Sequence, residues 1–139
     1  MKVFETLAVS GSALTAEKLR MDLISNNIAN MNTTRTPDGG PYRRQVALFA
    51  QRLEKASQGG RSSMGVQVRG VVHDPTPPRM VFEPDHPDAN EQGYVAYPNV
   101  DMVKEMVDMV TSTRSYEANV TVLNAAKNMF LKALEIGRG

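Results

Sequence analysis

The chain contains no cysteine and no tryptophan, and these two absences already exclude several classes of protein. Without cysteine there is no disulfide framework, no thiolate zinc site and no cysteine nucleophile. Aromatic residues make up only 6% of the 139 residues, so we expect a modest hydrophobic core. The sequence also lacks an apolar run of about 18 residues, and it lacks the apolar segment of a cleaved secretory signal. It therefore predicts no insertion into a membrane and no conventional signal peptide.

Sequence patterns of catalysis are equally scarce. No glycine-rich phosphate-binding string occurs. A cluster of Asp85, His86, Asp88 and Glu91 lies in a proline-rich loop without metal-site spacing, so we interpret it as a solvated turn. The net charge of +1 and the absence of a base-stacking motif argue against nucleic-acid binding. We expect no enzyme activity, no cofactor, no metal and no nucleic-acid partner.

Charge is unevenly distributed despite the small net value. Seven basic and two acidic residues between Arg35 and Arg69 give a local balance of +5. Eight acidic and two basic residues between Val72 and Asp108 give −6. These blocks are either solvated faces of a small sheet or complementary surfaces between neighbouring subunits. Charge alone does not choose between the two.

The longest regular pattern runs from Asn99 to Ile136, where no proline or glycine interrupts a predicted helix. We expect Asn99 to cap its start and Gly137 to end it. At about 55 Å such a helix is too long for a compact domain of this size, whose radius of gyration is about 14 Å. An apolar residue recurs at every seventh position and forms the first row of a seam: Met102, Met109, Tyr116, Leu123 and Phe130. A second row, four residues further on, contains Met106, Val120 and Leu134 and is interrupted by Thr113 and Lys127.

A second helix is predicted from Glu5 to about Ile28. Its apolar stripe also has a spacing of seven, so it could pair with the C-terminal helix. The small residues from Ser10 to Ala13 leave room for a neighbouring backbone. The asparagine-rich stretch that follows, Ser25 to Thr34, has two interpretations: a helix end with a turn, or a ladder of amides that fixes the register of packed helices.

The middle of the chain holds nearly all of the proline and glycine, between Thr36 and Pro98. The fold class is therefore α+β, with long N- and C-terminal helices and a small β-rich middle of short strands. The expected domains are residues 1–33 with 99–139, and residues 34–98. The predicted strands form one small sheet, with a flexible loop from Lys55 to Ser63. The strand segments are Tyr42 to Leu53, Gly65 to Val72, Arg79 to Glu83 and Tyr94 to Tyr97.

Both ends of the chain resemble one known family. The stretch Ser25-Asn26-Asn27-Ile28-Ala29-Asn30-Met31-Asn32-Thr33 resembles the signature of flagellar rod and hook axial proteins. The C-terminal part of this chain is similar to the C-terminal part of the same family. The similar segments are Pro98-Asn99-Val100-Asp101, Glu105-Met106-Val107, Arg114-Ser115-Tyr116-Glu117-Ala118-Asn119 and Lys127-Asn128-Met129. The total length and the middle segments Gly39 to Arg43, Phe82 to Pro84 and Gly93 to Val95 look most like a proximal-rod member.

The resemblance implies an architecture and a location. In axial proteins the two terminal helices pair as an antiparallel coiled coil and stack with those of neighbouring subunits around a central export channel. The expected function is a structural subunit of the proximal rod of the bacterial flagellar basal body, which crosses the periplasm. The implied partners are copies of itself, other flagellar rod proteins and the flagellar type III export apparatus. The resemblance also implies that the chain is exported unfolded and without a cleaved signal peptide.

The resemblance implies interface residues only. They are Ser25, Asn26, Asn27, Ile28, Ala29, Asn30, Thr33, Asn99, Asp101, Met106, Tyr116, Glu117, Asn119 and Lys127. The helix face opposite the seam, with Val103, Val107, Val110 and Asn119, is also expected to contact other subunits. Phe49 to Leu53 resembles an export-gate signal, although a plain strand explains it equally well. The alternative function is a cytoplasmic coiled-coil adaptor, which would remain soluble on cell fractionation.

Overall fold

A computed structural model describes residues 2–55 and 61–139. It has two long helices, one from each end of the chain, and four strands between them. The predicted α+β class is confirmed. The elements in order are α1 Lys2–Ala29, β1 Gln45–Lys55, β2 Arg61–His73, β3 Arg79–Phe82, β4 Tyr94–Tyr97 and α2 Met102–Gly137.

The two helices pack against each other in antiparallel directions. Near the start of α1 the ring of Phe4 lies 5.8 Å from the ring of Phe130, in an edge-on contact. Near its end Asn27 bonds to Glu105 at the start of α2. Since α2 has 36 residues and α1 has 28, α2 is longer by about 12 Å. Every residue of α2 from Leu131 onward is exposed. Neither helix contains an apolar stretch able to cross a bilayer, over the residues described.

The buried line of α2 differs from the predicted seam. Glu105, Ser112 and Ala126 are its buried residues, at heptad-related positions. The predicted Met109, Tyr116 and Leu123 are only half-buried. Small side chains at Ser112 and Ala126 fit closely beneath α1, which leaves the larger apolar residues at the margins of the contact. Four members of the predicted rows are exposed: Met102, Met106, Phe130 and Leu134.

The predicted N-cap of α2 was wrong, whereas its predicted end at Gly137 is confirmed. Its N-cap is Asp101, whose side chain accepts hydrogen bonds from the backbone N–H groups of Val103 and Lys104. Asn99 has a different role, because its side chain bonds to the backbone of other segments. At the other end α2 stops after Gly137, and the cap residue Arg138 has right-handed backbone geometry.

The middle strands form two separate antiparallel pairs rather than one sheet. In the first pair, here the hairpin, β1 and β2 run from Gln45 opposite His73 to Lys55 opposite Arg61, with two register shifts. The second pair joins β3 to β4, from Arg79 opposite Tyr97 to Phe82 opposite Tyr94. The prediction of a loop from Lys55 to Ser63 was wrong at both ends, because Lys55 belongs to β1 and residues 61–63 belong to β2. Its centre, 56–60, lies outside the described residues.

The small-residue segment of α1 does receive a neighbouring backbone, as predicted. Gly65 of β2 is buried against α1 with a φ of +103°, and a Cβ atom there would lie 2.2 Å from Ser12 Oγ. The next residue, Val66, donates its backbone N–H to Ser12 Oγ at 3.0 Å. That hydroxyl in turn donates to the carbonyl of Val9 at 2.7 Å. Because only glycine combines this φ with such a close approach, β2 is fixed against α1 at this point.

Candidate functional site: a buried polar junction and an exposed apolar helix surface

A cluster of polar side chains lies where α1 ends, the hairpin begins and α2 starts. We call Asn27, Tyr42, Arg44, Asp74 and Glu105 the polar junction. They come from four different segments of the chain, which meet only in the folded structure. Asn27 and Glu105 are 1% and 0% exposed. Buried polar groups of this kind must find partners inside the protein, because their hydration is lost.

Asn27 uses its whole side-chain amide. Its Nδ2 donates to the carbonyl of Gln45 at 3.0 Å and to Glu105 Oε2 at 3.2 Å. Its Oδ1 accepts from Tyr42 OH and from the backbone N–H of Gln45, both at 2.9 Å. An amide offers two donor hydrogens and two acceptor sites, and all four are occupied. One asparagine therefore joins α1 to β1 and to α2.

Glu105 and Arg44 form the charged centre of the junction. Arg44 Nε lies 2.5 Å from Glu105 Oε1, and its two terminal nitrogens lie 3.3 Å from Asp74 and 3.5 Å from Asp108. A buried carboxylate is costly unless it is paired and hydrogen-bonded, and Glu105 has both Arg44 and Asn27 as partners. No buried side-chain N or O atom in the described residues lacks a hydrogen bond.

The surroundings shift several ionisation equilibria. Burial acts to lower the pKa of Arg44, but its bonds to Glu105 and Asp74 outweigh that effect and raise the pKa. The pKa of Tyr42 is raised, first by burial and then by the negative charge of Glu105. The pKa of Asp74 is lowered, first by its hydrogen bonds to Thr76 and also by Arg44. Arg44 and Asp74 are thus both charged at neutral pH.

This arrangement fits a structural role. The guanidinium of Arg44 stays protonated. Beside it, both side-chain oxygens of Glu105 accept hydrogen bonds, one from Asn27 and one from Arg44. Residues 2–55 and 61–139 contain no group of three or more side chains placed to hold a metal ion. A buried polar residue in a helix contact can specify register, because any slip leaves it without partners. We therefore interpret the junction as the element that sets the register of α1, α2 and the hairpin.

The predicted interface residues differ in their burial and in the bonds that they make within the chain. Some bond within the chain: Asn27 as above, Asn30 Nδ2 to the carbonyl of Asn26 and Oδ1 to Thr33, and Asn99 to Arg44. The helix-end interpretation of the asparagine-rich stretch is confirmed, because α1 ends at Ala29 and Asn30 bonds back to Asn26. The described residues contain no ladder of amides, and among them Asn27 alone of this stretch's asparagines bonds to β1 and α2. Half-buried members along the helices are Ile28, Tyr116 and Asn119, and exposed members are Ser25, Asn26, Ala29, Asp101, Met106, Glu117 and Lys127.

Sequence reasoning missed four members of the junction. Arg44 and Asp74 were counted only as charges within blocks, Tyr42 only as part of a strand and of a family segment, and Glu105 only as a charge and as part of a family motif. The available signal for Glu105 was its heptad spacing to Ser112, a second polar residue on the same line of the helix. Two small or polar residues on one line mark a close helix contact, in which a carboxylate must be paired.

The opposite side of α2 is apolar yet exposed. Val103, Val107 and Val110 are 71%, 59% and 59% exposed, which agrees with the predicted outward face. Towards the end of the helix Met129 and Ile136 are exposed as well. We call these five residues the outer helix surface. Exposed apolar residues along one side of a helix are typical of a surface that binds another protein, and here they form two groups, at the start and at the end of α2.

Comparison with known proteins identifies two matching families. Residues 7–35 match the family "flagella basal body rod protein", and residues 91–136 match the family "flagellar basal body rod FlgEFG protein C-terminal". The first match covers the asparagine-rich end of α1, and the second covers nearly all of α2.

Full-length relatives give the same assignment. The chain is 45% identical to the flagellar basal-body rod protein FlgC of Borreliella burgdorferi, over 100% of both chains. It is 47% identical to the protein of the same name from Bacillus subtilis, over 99% of this chain and 100% of that one. With the Salmonella typhimurium protein the identity is 39%, at the same coverage. The chain belongs to the FlgC family of flagellar basal-body rod proteins.

Proposed function

We propose that this chain is a structural subunit of the proximal rod of the bacterial flagellar basal body. The observation that carries the proposal is the similarity to FlgC rod proteins along the full length of both chains. The fold supports it, because two long paired helices with an apolar outer surface suit a subunit that packs beside copies of itself. In this proposal residues 2–33 and 99–139 form one coiled-coil domain, and residues 34–98 form a second, outer domain.

The exposed surface supports assembly into a tube. α2 extends past the contact between Phe4 and Phe130 and exposes Leu131, Leu134 and Ile136. Burying a side chain of this size is worth about 1.5–3 kcal/mol, so neighbouring subunits stabilise the helix end that α1 does not cover. The partners are copies of this chain and other rod proteins, arranged around a central channel. The interface includes the exposed members of the predicted set, such as Met106 and Lys127.

Export through the flagellar type III apparatus is part of the proposal. A narrow export path requires an unfolded chain, and the exposed apolar end of α2 is a part of the fold that only neighbouring subunits can stabilise after export. The segment Phe49 to Leu53, which lies in β1, remains a predicted export-gate signal. A plain strand explains the same segment equally well. Its Leu53 is exposed in the folded chain.

The test is complementation of a deletion strain. The parent chain should restore motility and copurify with basal bodies, because the rod needs this subunit. A variant with Leu134→Ser and Ile136→Ser should fold as a monomer but fail to restore either. The matched control, Lys132→Ser with Glu135→Ser, removes an exposed ion pair from the same helix end and should leave both intact. A parent chain that stays in the soluble fraction, as an adaptor would, contradicts the proposal.

A further inference from the structure

The outer face of the hairpin is apolar although no element of the described chain covers it. Phe49 lies opposite Val68 and lines a cavity with Leu23 of α1, and both Val66 and Val68 are half-buried, so this face of the hairpin turns towards the helix. Because side chains alternate along a strand, Leu48 and Ala50 point to the opposite face, and Arg52 follows them at the register shift between Gln51 and Leu53. The outer hairpin face consists of Leu48, Ala50 and Val72, of which Leu48 and Val72 are 46% and 40% exposed, with Arg52 at its margin.

The β3–β4 pair also has one uncovered apolar face. Val95 is fully buried, so its side of the pair is the inner one. The other side carries Met80, Phe82 and Tyr94, which are 50%, 61% and 41% exposed. The rings of Phe82 and Tyr94 lie 5.3 Å apart, edge to face, and Gly93 approaches Phe82 closely enough that a Cβ atom would lie 2.9 Å from the ring. We call Met80, Phe82 and Tyr94 the aromatic sheet face.

The two uncovered faces belong to segments of opposite charge. The hairpin strands contain four basic residues and one acidic residue, a balance of +3. Residues 79–97 contain one basic and four acidic residues, a balance of −3. Within that segment Asp88 is already bonded to Thr34 and Arg35, whereas Asp85 and Glu91 are exposed. Both lie in the loop that leaves the sheet at Phe82 and returns at Tyr94.

These faces do not meet within one chain. Over the described residues the hairpin packs against α1, whereas β3 and β4 pack with each other and with neither the hairpin nor the helices. An apolar face beside basic residues and a second apolar face beside acidic residues are complementary in both respects. Since they are different patches, contact between them in two copies is heterologous and repeats in one direction. Such a contact builds a ring or a helical filament rather than a closed dimer.

We propose that the outer hairpin face of one copy docks on the aromatic sheet face of the next copy in the assembly. The inference rests on the proposed function, because it needs several copies of the chain side by side. Leu48 and Val72 then pack on Phe82 and Tyr94. At the margin Arg52 and Arg69 face the loop acids of the neighbour, Asp85 and Glu91, which sets the orientation.

Disulfide cross-linking in isolated basal bodies tests the contact, and the chain has no native cysteine to interfere. A chain that carries both Leu48→Cys and Phe82→Cys should give a ladder of homo-oligomers on mild oxidation. A second pair, Val72→Cys with Met80→Cys, covers the case in which the first pair disturbs folding. Each single variant, and the pair Phe82→Cys with Thr121→Cys on exposed α2, should give no ladder.

Charge reversal tests the complementarity itself. In the cross-linking chain, Arg52→Glu with Arg69→Glu should lower the yield of oligomers about tenfold, since two attractions become repulsions. Adding Asp85→Lys and Glu91→Lys should restore the yield. Unchanged yield after the first reversal, or no recovery after the second, would overturn the proposed orientation.

The outcomes separate this inference from the proposed function. If the cysteine variants support motility and occur in basal bodies but form no ladder, the contact is wrong and the rod function stands. A cross-link from either face to a different protein would also overturn the contact between copies. If the parent chain is absent from basal bodies, the proposed function itself fails.

Discussion

The two ends of the helix pair are stabilised in different ways. Where α1 ends and α2 begins, the buried polar groups of Asn27, Arg44 and Glu105 bond to one another. At the other end the only described ring contact is that of Phe4 with Phe130, and α2 continues beyond it with exposed apolar residues. The polar end specifies how the segments of one chain fit together. The apolar end supplies surface that another chain can bury.

The largest expected effect concerns the charged centre of the polar end. Glu105→Ala leaves Arg44 without its closest carboxylate and Asn27 without an acceptor, so we expect the free energy of unfolding to fall by about 3–5 kcal/mol. Urea denaturation followed by far-ultraviolet circular dichroism measures it. Glu135→Ala, which removes an exposed ion pair at the apolar end, is the matched control and should change stability by less than about 0.5 kcal/mol. Equal effects would contradict the distinction between the two ends.

The asparagine of the junction should come next. Asn27→Ala removes four hydrogen bonds and leaves buried groups of Gln45 unpaired, which costs about 2–3 kcal/mol. Asn26→Ala is the matched control, because the neighbouring side chain is exposed. The same denaturation measurement compares them, and a loss of stability in the Asn26 variant equal to that of the Asn27 variant would refute the special role of Asn27.

The close approach of β2 to α1 gives a third test. Gly65→Ala introduces a Cβ atom into Ser12 Oγ and strains a positive φ, so we expect a loss of about 1–3 kcal/mol. Gly70→Ala in the same strand is the control, because nothing lies within 4 Å of the added atom. Ser12→Ala removes the clashing oxygen but also the bond from Val66, so the loss caused by Gly65→Ala is measured again in the Ser12→Ala background, where it should be smaller. An equal loss in both backgrounds would mean that backbone strain alone is responsible.

The smallest effect is the pH dependence from Asp74. Its pKa is lowered in the folded chain, so its contribution to stability is present above the unfolded pKa of about 3.9 and is lost as pH falls towards the folded value. The free energy of unfolding should therefore fall in acid. Asp74→Asn should be less stable than the parent at neutral pH, with a difference that shrinks below about pH 4. A difference that is constant with pH would contradict this linkage.

Sequence patterns predicted the main elements and missed the contacts between them. The unbroken seven-residue repeats identified both helices, because such spacing is a local property of the chain. They placed the packing line beside the true one, since Ser112 and Ala126 allow a closer approach than Met109 or Leu123. Periodicity of apolar residues does not register a contact built on small side chains.

The polar junction could not be assembled from sequence alone. Asn99 matches the pattern of an N-cap, yet in the fold its amide bonds to the backbone of Arg44 and Thr76, and Asp101 caps the helix instead. A tertiary partner outweighs the local preference in this case. For Asn27 the local pattern allowed both a helix end and a role in register, and only the positions of Gln45 and Glu105 decided between them.

Amide hydrogen exchange tests most directly whether one end of the helix pair is fixed within the chain and the other by its neighbours. In the purified chain we predict slow exchange for residues 105–126 of α2 and fast exchange for residues 129–137. In isolated basal bodies both segments should exchange slowly. Equal protection of the two segments in the purified chain, or no gain for residues 129–137 on assembly, would contradict the account.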